Sequence, residues 1–207
     1  MSLDPQPLWN DFSKRHTLTQ RQLECFKEYY HRLVSANALH NLTRILDIER
    51  VIEDHFNDSL ALKDVIDCTK IKGLCDIGTG GGFPGIPLKI LYPELPLVLI
   101  EVNGKKRAFL AELVSAFGLT DTIISELDWR TFLRNTDYQL DVFTARASLA
   151  PDELIRMFMS SSPYKNGTLF YWASSSWESS NIVAPYIRDR HHYQVDMKER
   201  VLVKMAL

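Results

Sequence analysis

The sequence predicts an α/β fold, in which a mostly parallel sheet of seven strands ends in an antiparallel hairpin and follows an N-terminal helical extension. Three observations predict it. The first 68 residues have helical character, short apolar runs alternate with helical stretches from residue 71, and the last segment alternates apolar and polar residues around a charged turn. We therefore expect a helical extension over residues 1–68 and one compact α/β domain over residues 69–207.

The composition is that of a globular protein and excludes several classes. Of the 207 residues 45% are hydrophobic and 24% charged, so the chain can bury a core without metals or disulfides. No apolar run approaches the roughly 18 residues of a membrane-spanning helix, and the first residues lack the pattern of a secretory signal. Three cysteines without metal-ligand spacing predict reduced thiols in a cytoplasmic protein that holds no metal. The net charge of −2 excludes a generally basic surface but leaves room for a local basic patch.

The helical extension contains two recognisable helix starts. Thr19 and Gln22 fit a capping box, and Asp47 is placed to cap a later helix. Apolar residues follow each start at helical spacing. They are Leu23, Phe26, Tyr30, Leu33 and Val34 after the first start, and Val51, Ile52, His55, Leu60 and Leu62 after the second. The simplest interpretation is a helical cover for the sheet.

Five short apolar runs predict the parallel strands, and the clearest helix between them, 105–117, stops at Gly118. The predicted strands are Leu74–Ile77, Leu97–Ile100, Thr122–Ile124, Leu140–Phe143 and Thr168–Trp172. In the last segment, alternation around a charged turn at Lys198–Arg200 predicts the hairpin. The alternating residues are Tyr193, Val195, Met197, Val201, Val203 and Met205.

The turn after the first strand carries the most informative stretch, DIGTGGGFPGIP, from Asp76 to Pro87. Glycines between a strand and a helix let the backbone approach a ligand that a Cβ would repel, and open α/β sheets bind ligands in this crevice. Pro84 suits the first turn of the helix that follows. Glu101 ends the second strand at about the spacing where an acid meets the hydroxyls of a ribose.

The residues of this turn match the binding motifs of two different cofactors. Gly80, Gly82 and Gly85 satisfy the G-x-G-x-x-G fingerprint of dinucleotides, but the tight turn has already begun at Gly78. The frame Asp76-x-Gly78-x-Gly80 resembles the first motif of S-adenosylmethionine (SAM) methyltransferases, in which an acid such as Asp76 would favour the ammonium of the ligand. The closing hairpin also resembles that fold, and few residues remain for the second domain of a dehydrogenase. We favour SAM over NAD, while a turn that binds nothing stays open.

The fourth strand lacks the motifs of two classes of methyltransferase, which narrows the range of possible substrates. It delivers Thr144, Arg146 and Ser148 to the crevice, without the Pro-Pro-aromatic motif of amino-directed base methyltransferases or the cysteine of five-carbon pyrimidine enzymes. An arginine is no practical general base. Arg146 can hold a phosphate, a carboxylate or the O6/N7 edge of guanine, or it can be a surface arginine in an ion pair.

Several short motifs in register give a more specific resemblance. They are Asn41-Leu42-Thr43, His55-Phe56-Asn57-Asp58-Ser59, DIGTGGGFPGIPL, Glu101-Val102-Asn103-Gly104-Lys105-Lys106 and Thr144-Ala145-Arg146-Ala147. Over roughly residues 37 to 150 they resemble, in order and spacing, the bacterial ribosomal small-subunit methyltransferase G family, also called the glucose-inhibited division protein B family. After residue 150 only the strand pattern continues the resemblance.

The resemblance implies a Rossmann-like SAM-dependent methyltransferase fold. The implied enzyme transfers a methyl group from SAM to N7 of a guanine in the 16S ribosomal RNA of the small subunit. We expect a cytoplasmic monomer without membrane contact or metal. Guanine N7 has an in-plane lone pair and no proton to lose, so the transfer needs no base and depends on positioning.

The resemblance also implies which residues form the cofactor site. They are Asp76, Gly78, Thr79, Gly80 and Phe83 in the turn, Glu101 at the ribose, and Asp128, Trp129 and Arg130 beside the adenine. Trp129 can stack on the adenine or fill the core, and both interpretations stay open. The chain also departs from the family at Asp128-Trp129-Arg130 and at Tyr171-Trp172-Ala173, where serines follow and the RNA-facing rim would be reshaped.

Arg146 is the predicted catalytic residue and is also predicted to bind the cofactor, because it matches the family's arginine between cofactor and substrate. Asn41, Lys105 and Lys106 are the predicted substrate-binding residues, although the two lysines also suit a solvated helix face. His55 and Asp58 match family positions, and their spacing predicts a structural hydrogen-bonded pair on one helix face more than a catalytic pair.

Two other functions stay open. One is a SAM-dependent methyltransferase for a small molecule or a protein, with the N-terminal helices as a lid. The other is a non-catalytic ribosome-assembly factor that retains the fold, since a site with an arginine and no obvious base also suits a SAM-binding protein without turnover.

Overall fold

The computed structural model describes residues 5–40, 42–147, 149–159 and 162–207. The first two helices are α1 (Gln6–His16) and α2 (Gln20–His40). Before α2, Gln22 N donates to Thr19 Oγ1 at 3.3 Å and Thr19 N donates to Gln22 Oε1 at 2.9 Å. The predicted capping box is therefore confirmed.

The next helical stretch changes its winding along its length. Asp47 caps α3 (Ile48–Val51) and accepts from Arg50 N at 3.1 Å, as predicted. The chain then widens into a π-helical turn (Ile52–Asn57) and continues through α4 (Asp58–Leu60) and a 3-10 turn (Ala61–Asp64). Such π turns inside helices are frequent at functional sites.

One sheet holds seven strands in the order β3-β2-β1-β4-β5-β7-β6. The strands are β1 (Leu74–Ile77), β2 (Leu97–Ile100), β3 (Thr122–Ser125), β4 (Val142–Arg146), β5 (Thr168–Ser174), β6 (Ile187–Val195) and β7 (Lys198–Ala206). The first five are mutually parallel, and β7 is antiparallel to both of its neighbours. The predicted fold class, with its closing hairpin, is confirmed.

In the described part of the chain, four helices connect the strands, and a 3-10 turn (Ala184–Tyr186) precedes β6. The helices are α5 (Gly85–Leu91), α6 (Gly104–Phe117), α7 (Trp129–Asn135) and α8 (Pro151–Met159). The N-terminal helices share one apolar core with α5, α6 and one face of the sheet, while α7 and α8 cover the other face. Gly118 ends α6 in the left-handed conformation, as predicted. No helix in the described part of the chain is long and apolar enough to cross a membrane.

Several predicted boundaries were wrong. Strands β3, β4 and β5 each extend past their predicted ends, to Ser125, Arg146 and Ser174. The hairpin turn is Asp196–Met197, because Val195 pairs with Lys198, and Lys198–Arg200 already belongs to β7. Met197 is 91% exposed at this turn and does not continue the apolar face of β6. Strand β4 begins two residues later than predicted, at Val142, because Asp141 before it accepts hydrogen bonds from Lys72 N and Gly73 N through its side chain.

Candidate active site

The glycine turn leaves β1 at the carboxyl edge of the sheet, where β2 and β4 also end. Gly78 N and Thr79 N both donate to Ile100 O of β2, at 3.0 and 3.1 Å. Gly78 and Gly80 have φ values of 70° and 60°, which side chains rarely adopt. A Cβ built on Gly80 would meet no atom within 4 Å, so open space lies against the backbone at this point.

Asp76 supports the turn from below. Its Oδ2 accepts from Thr79 Oγ1 at 2.6 Å and from Gly85 N at 2.9 Å, and its Oδ1 accepts from Thr144 Oγ1 at 3.1 Å. Burial raises the pKa of the Asp76 carboxyl above its ordinary value, and these hydrogen bonds oppose the shift. Direct contact of Asp76 and Thr79 with a cofactor was expected. Both side chains are buried and hydrogen-bonded to each other, and their contact with a cofactor stays a prediction.

Glu101 follows β2 and faces the turn. It is buried, its Oε2 accepts from Gly80 N at 3.1 Å, and its Oε1 accepts from Asn103 N at 2.9 Å. A carboxylate oxygen has a second lone pair, so both oxygens can accept a further hydrogen bond. The geometry therefore fits a ligand with hydroxyl groups beside Gly80.

The predicted adenine-side residues separate into buried and exposed groups. Trp129, the first residue of α7, packs its side chain in the core and is 8% exposed, which favours core filling over stacking on a ligand. Arg130 lies above it, with Cζ 4.4 Å from the ring centroid, and donates to Glu153 Oε2 at 2.7 Å. Asp128 is exposed and caps α7, accepting from Arg130 N and Thr131 N.

Arg146, at the end of β4, is the centre of a polar cluster. Its Nη1 donates to Asp58 Oδ2 at 2.8 Å and to Asp54 O at 3.2 Å, and its Nη2 lies 3.3 Å from His55 Nδ1. The other oxygen of Asp58 accepts from Tyr193 Oη at 2.7 Å. Between the described side chains of His55 and Asp58, the predicted direct hydrogen bond does not form. Both side chains face Arg146 instead.

Phe83 joins this cluster to the glycine turn. Its ring stacks on His55 at 4.5 Å and on Tyr29 at 5.2 Å, and Arg146 Cζ lies 5.2 Å from its centroid. Tyr29 Oη donates to Gly81 O at 2.6 Å. Because Phe83 is itself buried, it aligns the turn with Arg146 and presents little surface to a ligand.

Burial sets the protonation of the histidine. Its desolvation and the Arg146 guanidinium lower the pKa of His55 to about 3, so the ring is neutral at neutral pH. Thr43 Oγ1 lies 2.9 Å from its Nε2. Both ring nitrogens therefore have partners, and the ring is fixed rather than free to accept a proton.

The structure describes two of the three predicted substrate-binding residues, Lys105 and Lys106. Lys105 and Lys106 open α6, and both backbone N–H groups donate to Asn103 Oδ1. Neither lysine forms an ion pair with a described residue. Asn41 and Ser148 lie outside the described residues.

Several residues near Arg146 had not been predicted. Asp54 is bound by Lys198 at 2.6 Å and by Arg50 at 3.1 Å, and Trp172 Nε1 donates to Asp58 O at 2.9 Å. The contacts of Lys198 and Trp172 join positions far apart in the chain, so no local pattern marks them, whereas Arg50 and Asp54 have the i,i+4 spacing of a helical ion pair. In the described part of the chain, no group of three His, Cys, Asp or Glu side chains is arranged to hold a metal ion.

The sheet order, the single antiparallel strand and the glycine turn beside an acid define the Rossmann-like methyltransferase class of fold. A solved SAM-dependent methyltransferase from Aquifex aeolicus has this fold, with a TM-score of 0.54 and 16% identity over 78% of this chain and 94% of that chain.

The sequence model of the family GidB, rRNA small subunit methyltransferase G, matches residues 22–199, and the chain belongs to this family. Two similar relatives are both named ribosomal RNA small subunit methyltransferase G. The relative from an Exiguobacterium species is 42% identical over 132 residues, 63% of this chain and 56% of that protein. The relative from the Aster yellows witches'-broom phytoplasma is 38% identical over 64% of this chain and 63% of that protein. The match thus spans little more than half of the relatives' length.

Proposed function

We propose that this chain transfers a methyl group from SAM to N7 of a guanine in the 16S RNA of the small ribosomal subunit. The observation that carries the proposal is the open space against the backbone of Gly80. The N–H of Gly80 donates to the Glu101 carboxylate, and Phe83 connects the same turn to Arg146. Membership in the family supports RNA of the small subunit as the substrate. A substrate in that subunit places the activity in the cytoplasm.

The residues of the turn fit SAM in different ways. Gly78 and Gly80 give the ligand access to the backbone, while Glu101 accepts hydrogen bonds from the ribose hydroxyls. Asp128 and Arg130 are the exposed groups beside the adenine. Asp76, Thr79 and Phe83 hold the turn in shape from below, since their side chains are buried.

SAM, when bound, supplies an electrophilic methyl group on a sulfonium. The protein then needs to align a guanine with that methyl group and does not need to remove a proton. An arginine has five N–H donors, and three contacts within the protein leave donors of Arg146 for a guanine edge. His55 and Asp58 act as positioning residues that fix the guanidinium.

The helical extension is part of this proposed site. Residues 1–68 supply His55 and Asp58, and residues 69–207 supply the turn and Arg146. We therefore propose that the two parts work as one unit, with the extension fixing Arg146 as well as covering the sheet.

Two measurements test the proposal. Calorimetric titration of the chain with SAM, S-adenosylhomocysteine and NAD should give binding of the first two only. Incubation with labelled SAM and small subunits that lack the modification should then give 7-methylguanosine in digests of the 16S RNA. Binding of NAD alone would contradict the proposal that SAM is the cofactor. Binding of SAM and subunits without transfer identifies an assembly factor, and transfer only to a small molecule or protein identifies another substrate.

A further inference from the structure

A cavity of about 450 Å³ lies beside Arg146 at the end of β4. Residues of β5 and β7 line it, and the strand order puts these strands on the side of β4 away from β1 and its glycine turn. Its volume falls in the range of about 300–1,000 Å³ that is typical of small-ligand sites. Arg146 and His55 line it toward β1, and Tyr171, Trp177 and Arg200 line it toward β5 and β7. The methyl-transfer site proposed above makes no use of these last three residues.

Arg200 gives the cavity a positive charge without a counter-ion. The two carboxylates that line the cavity are already paired, Asp58 with Arg146 and Asp54 with Lys198 and Arg50. Among the described residues, the Arg200 side chain has no hydrogen bond or ion pair, and its Nε is buried without a partner. A guanidinium in this state fits a phosphate, which can accept two of its hydrogen bonds.

Trp177 and Tyr171 add an aromatic surface to the same cavity. Both are half-buried, and their ring centroids are 5.8 Å apart. Arg190 stacks on Trp177, with Cζ 4.9 Å from the ring centroid. Aromatic side chains of this kind bind nucleobases by stacking, with little dependence on sequence.

We propose that the cavity binds one unstacked RNA nucleotide, its base against Trp177 and Tyr171 and its phosphate on Arg200. This inference rests on the proposed function, which makes RNA the ligand and puts the methyl donor on the other side of Arg146. The narrow major groove of an RNA helix hides the N7 edge of guanine, so a target guanine has to leave its stack. The cavity provides a place for it next to Arg146.

The first test uses guanosine 5′-monophosphate and guanosine as probes with the full chain saturated with S-adenosylhomocysteine. Binding is followed by NMR through the indole N–H signal of Trp177, assigned from Trp177→Phe. Arg200→Gln should weaken the monophosphate about tenfold or more and leave guanosine unchanged, because only the monophosphate has a group for the guanidinium. Arg134→Gln removes the same charge from an exposed position of α7 outside the cavity, and it should not change the affinity for either probe.

A second pair of variants tests the stacking surface. Because neither variant has the Trp177 indole signal, their binding is measured by calorimetric titration, with the wild type measured in the same way. Trp177→Ala should weaken both probes about tenfold, whereas Trp177→Phe retains a ring and most of the affinity. The Phe variant keeps the test valid if the Ala variant fails to fold. The proposal is overturned if Arg200→Gln weakens both probes equally, or if neither probe perturbs Trp177 up to its solubility limit.

Methyl transfer into small subunits with the same variants separates this inference from the proposed function. A raised KM with a nearly unchanged kcat in Arg200→Gln supports the nucleotide site. Transfer that is the same as wild type in Arg200→Gln and Trp177→Ala overturns the site and leaves the proposed function intact. Nucleotide binding in a chain that methylates no RNA supports the cavity and overturns the proposed function.

Discussion

The Arg146 guanidinium lies 2.8 Å from the Asp58 carboxylate, although 88 residues separate them in the chain. Their side chains are 12% and 6% exposed, so water screens the pair little. The contact ties the end of β4 to the start of α4, directly after the π-helical turn of the extension. It therefore couples the fold of the N-terminal helices to the geometry of the candidate active site.

Replacing Arg146 alone should destabilise the fold more than replacing Arg146 and Asp58 together. Arg146→Ala leaves the buried Asp58 carboxylate without its cation, and we expect it to lower the free energy of unfolding by about 3–5 kcal/mol. Asp58→Asn added to that variant should restore part of the loss. Urea unfolding of the two single variants and the double variant gives the coupling energy. Strictly additive losses would show that the two groups do not interact.

The glycines of the turn should divide into two functional kinds. Gly80→Asn adds a side chain to open space in a conformation that Asn tolerates, so the chain should fold normally and lose SAM binding. A Cβ on Gly82 would lie 2.5 Å from Tyr29 Oη and 2.8 Å from Ile86 Cγ1. Gly82→Ala should therefore lose about 1–3 kcal/mol of stability. Thermal unfolding and calorimetry with SAM distinguish the Gly80 and Gly82 variants. Normal SAM binding by Gly80→Asn would show that SAM does not bind at this turn.

The sequence predicts what depends on neighbours in the chain. The capping box of Thr19 and Gln22 and the Gly118 helix stop were found because a few consecutive residues determine them. The Asp196–Met197 turn was missed because Met197 continues an apolar alternation, and only the pairing of Val195 with Lys198 identifies the turn.

The polar cluster shows where local reasoning fails. The spacing of His55 and Asp58 suggested a hydrogen bond between the two side chains, but both contact Arg146 instead, a residue about 90 positions further along the chain. Arg200 and Trp177 belong to no motif. Strand order alone brings them to one cavity beside Arg146, and the sequence did not reveal that they would meet there.

Glu101→Gln should weaken the binding only of those ligands that carry ribose hydroxyls. We expect about a tenfold or greater loss of affinity for adenosine, because a charged acceptor becomes a neutral amide. Affinity for 2′,3′-dideoxyadenosine should not change. Competition against labelled S-adenosylhomocysteine measures both. Equal losses for the two ligands would mean that Glu101 acts only by holding Gly80 N in the turn.

His55 should make the fold sensitive to acid. Its pKa is about 3 in the folded chain and near the ordinary 6.5 in the unfolded chain, so below pH 6.5 the unfolded state binds a proton that the folded state excludes. The stabilisation is complete above pH 6.5. It falls toward pH 3, by at most about 1.4 kcal/mol per pH unit. Urea unfolding from pH 7 to pH 4 should show a shallower dependence for His55→Gln. His192→Gln, on the exposed part of edge strand β6, is the control and should keep the slope of the wild type.

Lys105 and Lys106 should contribute to RNA binding through phosphates rather than bases. Each contact to a phosphate releases counterions, so replacing both lysines with Gln should make the slope of log affinity against log salt less negative by about 0.7–0.9 per lysine. Affinity for small subunits, measured by filter binding over a range of salt, gives the slope. Lys72 and Lys165 are exposed at the opposite edge of the sheet, before β1 and β5, and their double Gln variant is matched in charge. If that control changes the slope as much as the α6 pair, the effect comes from net charge and the two α6 lysines are a solvated helix face.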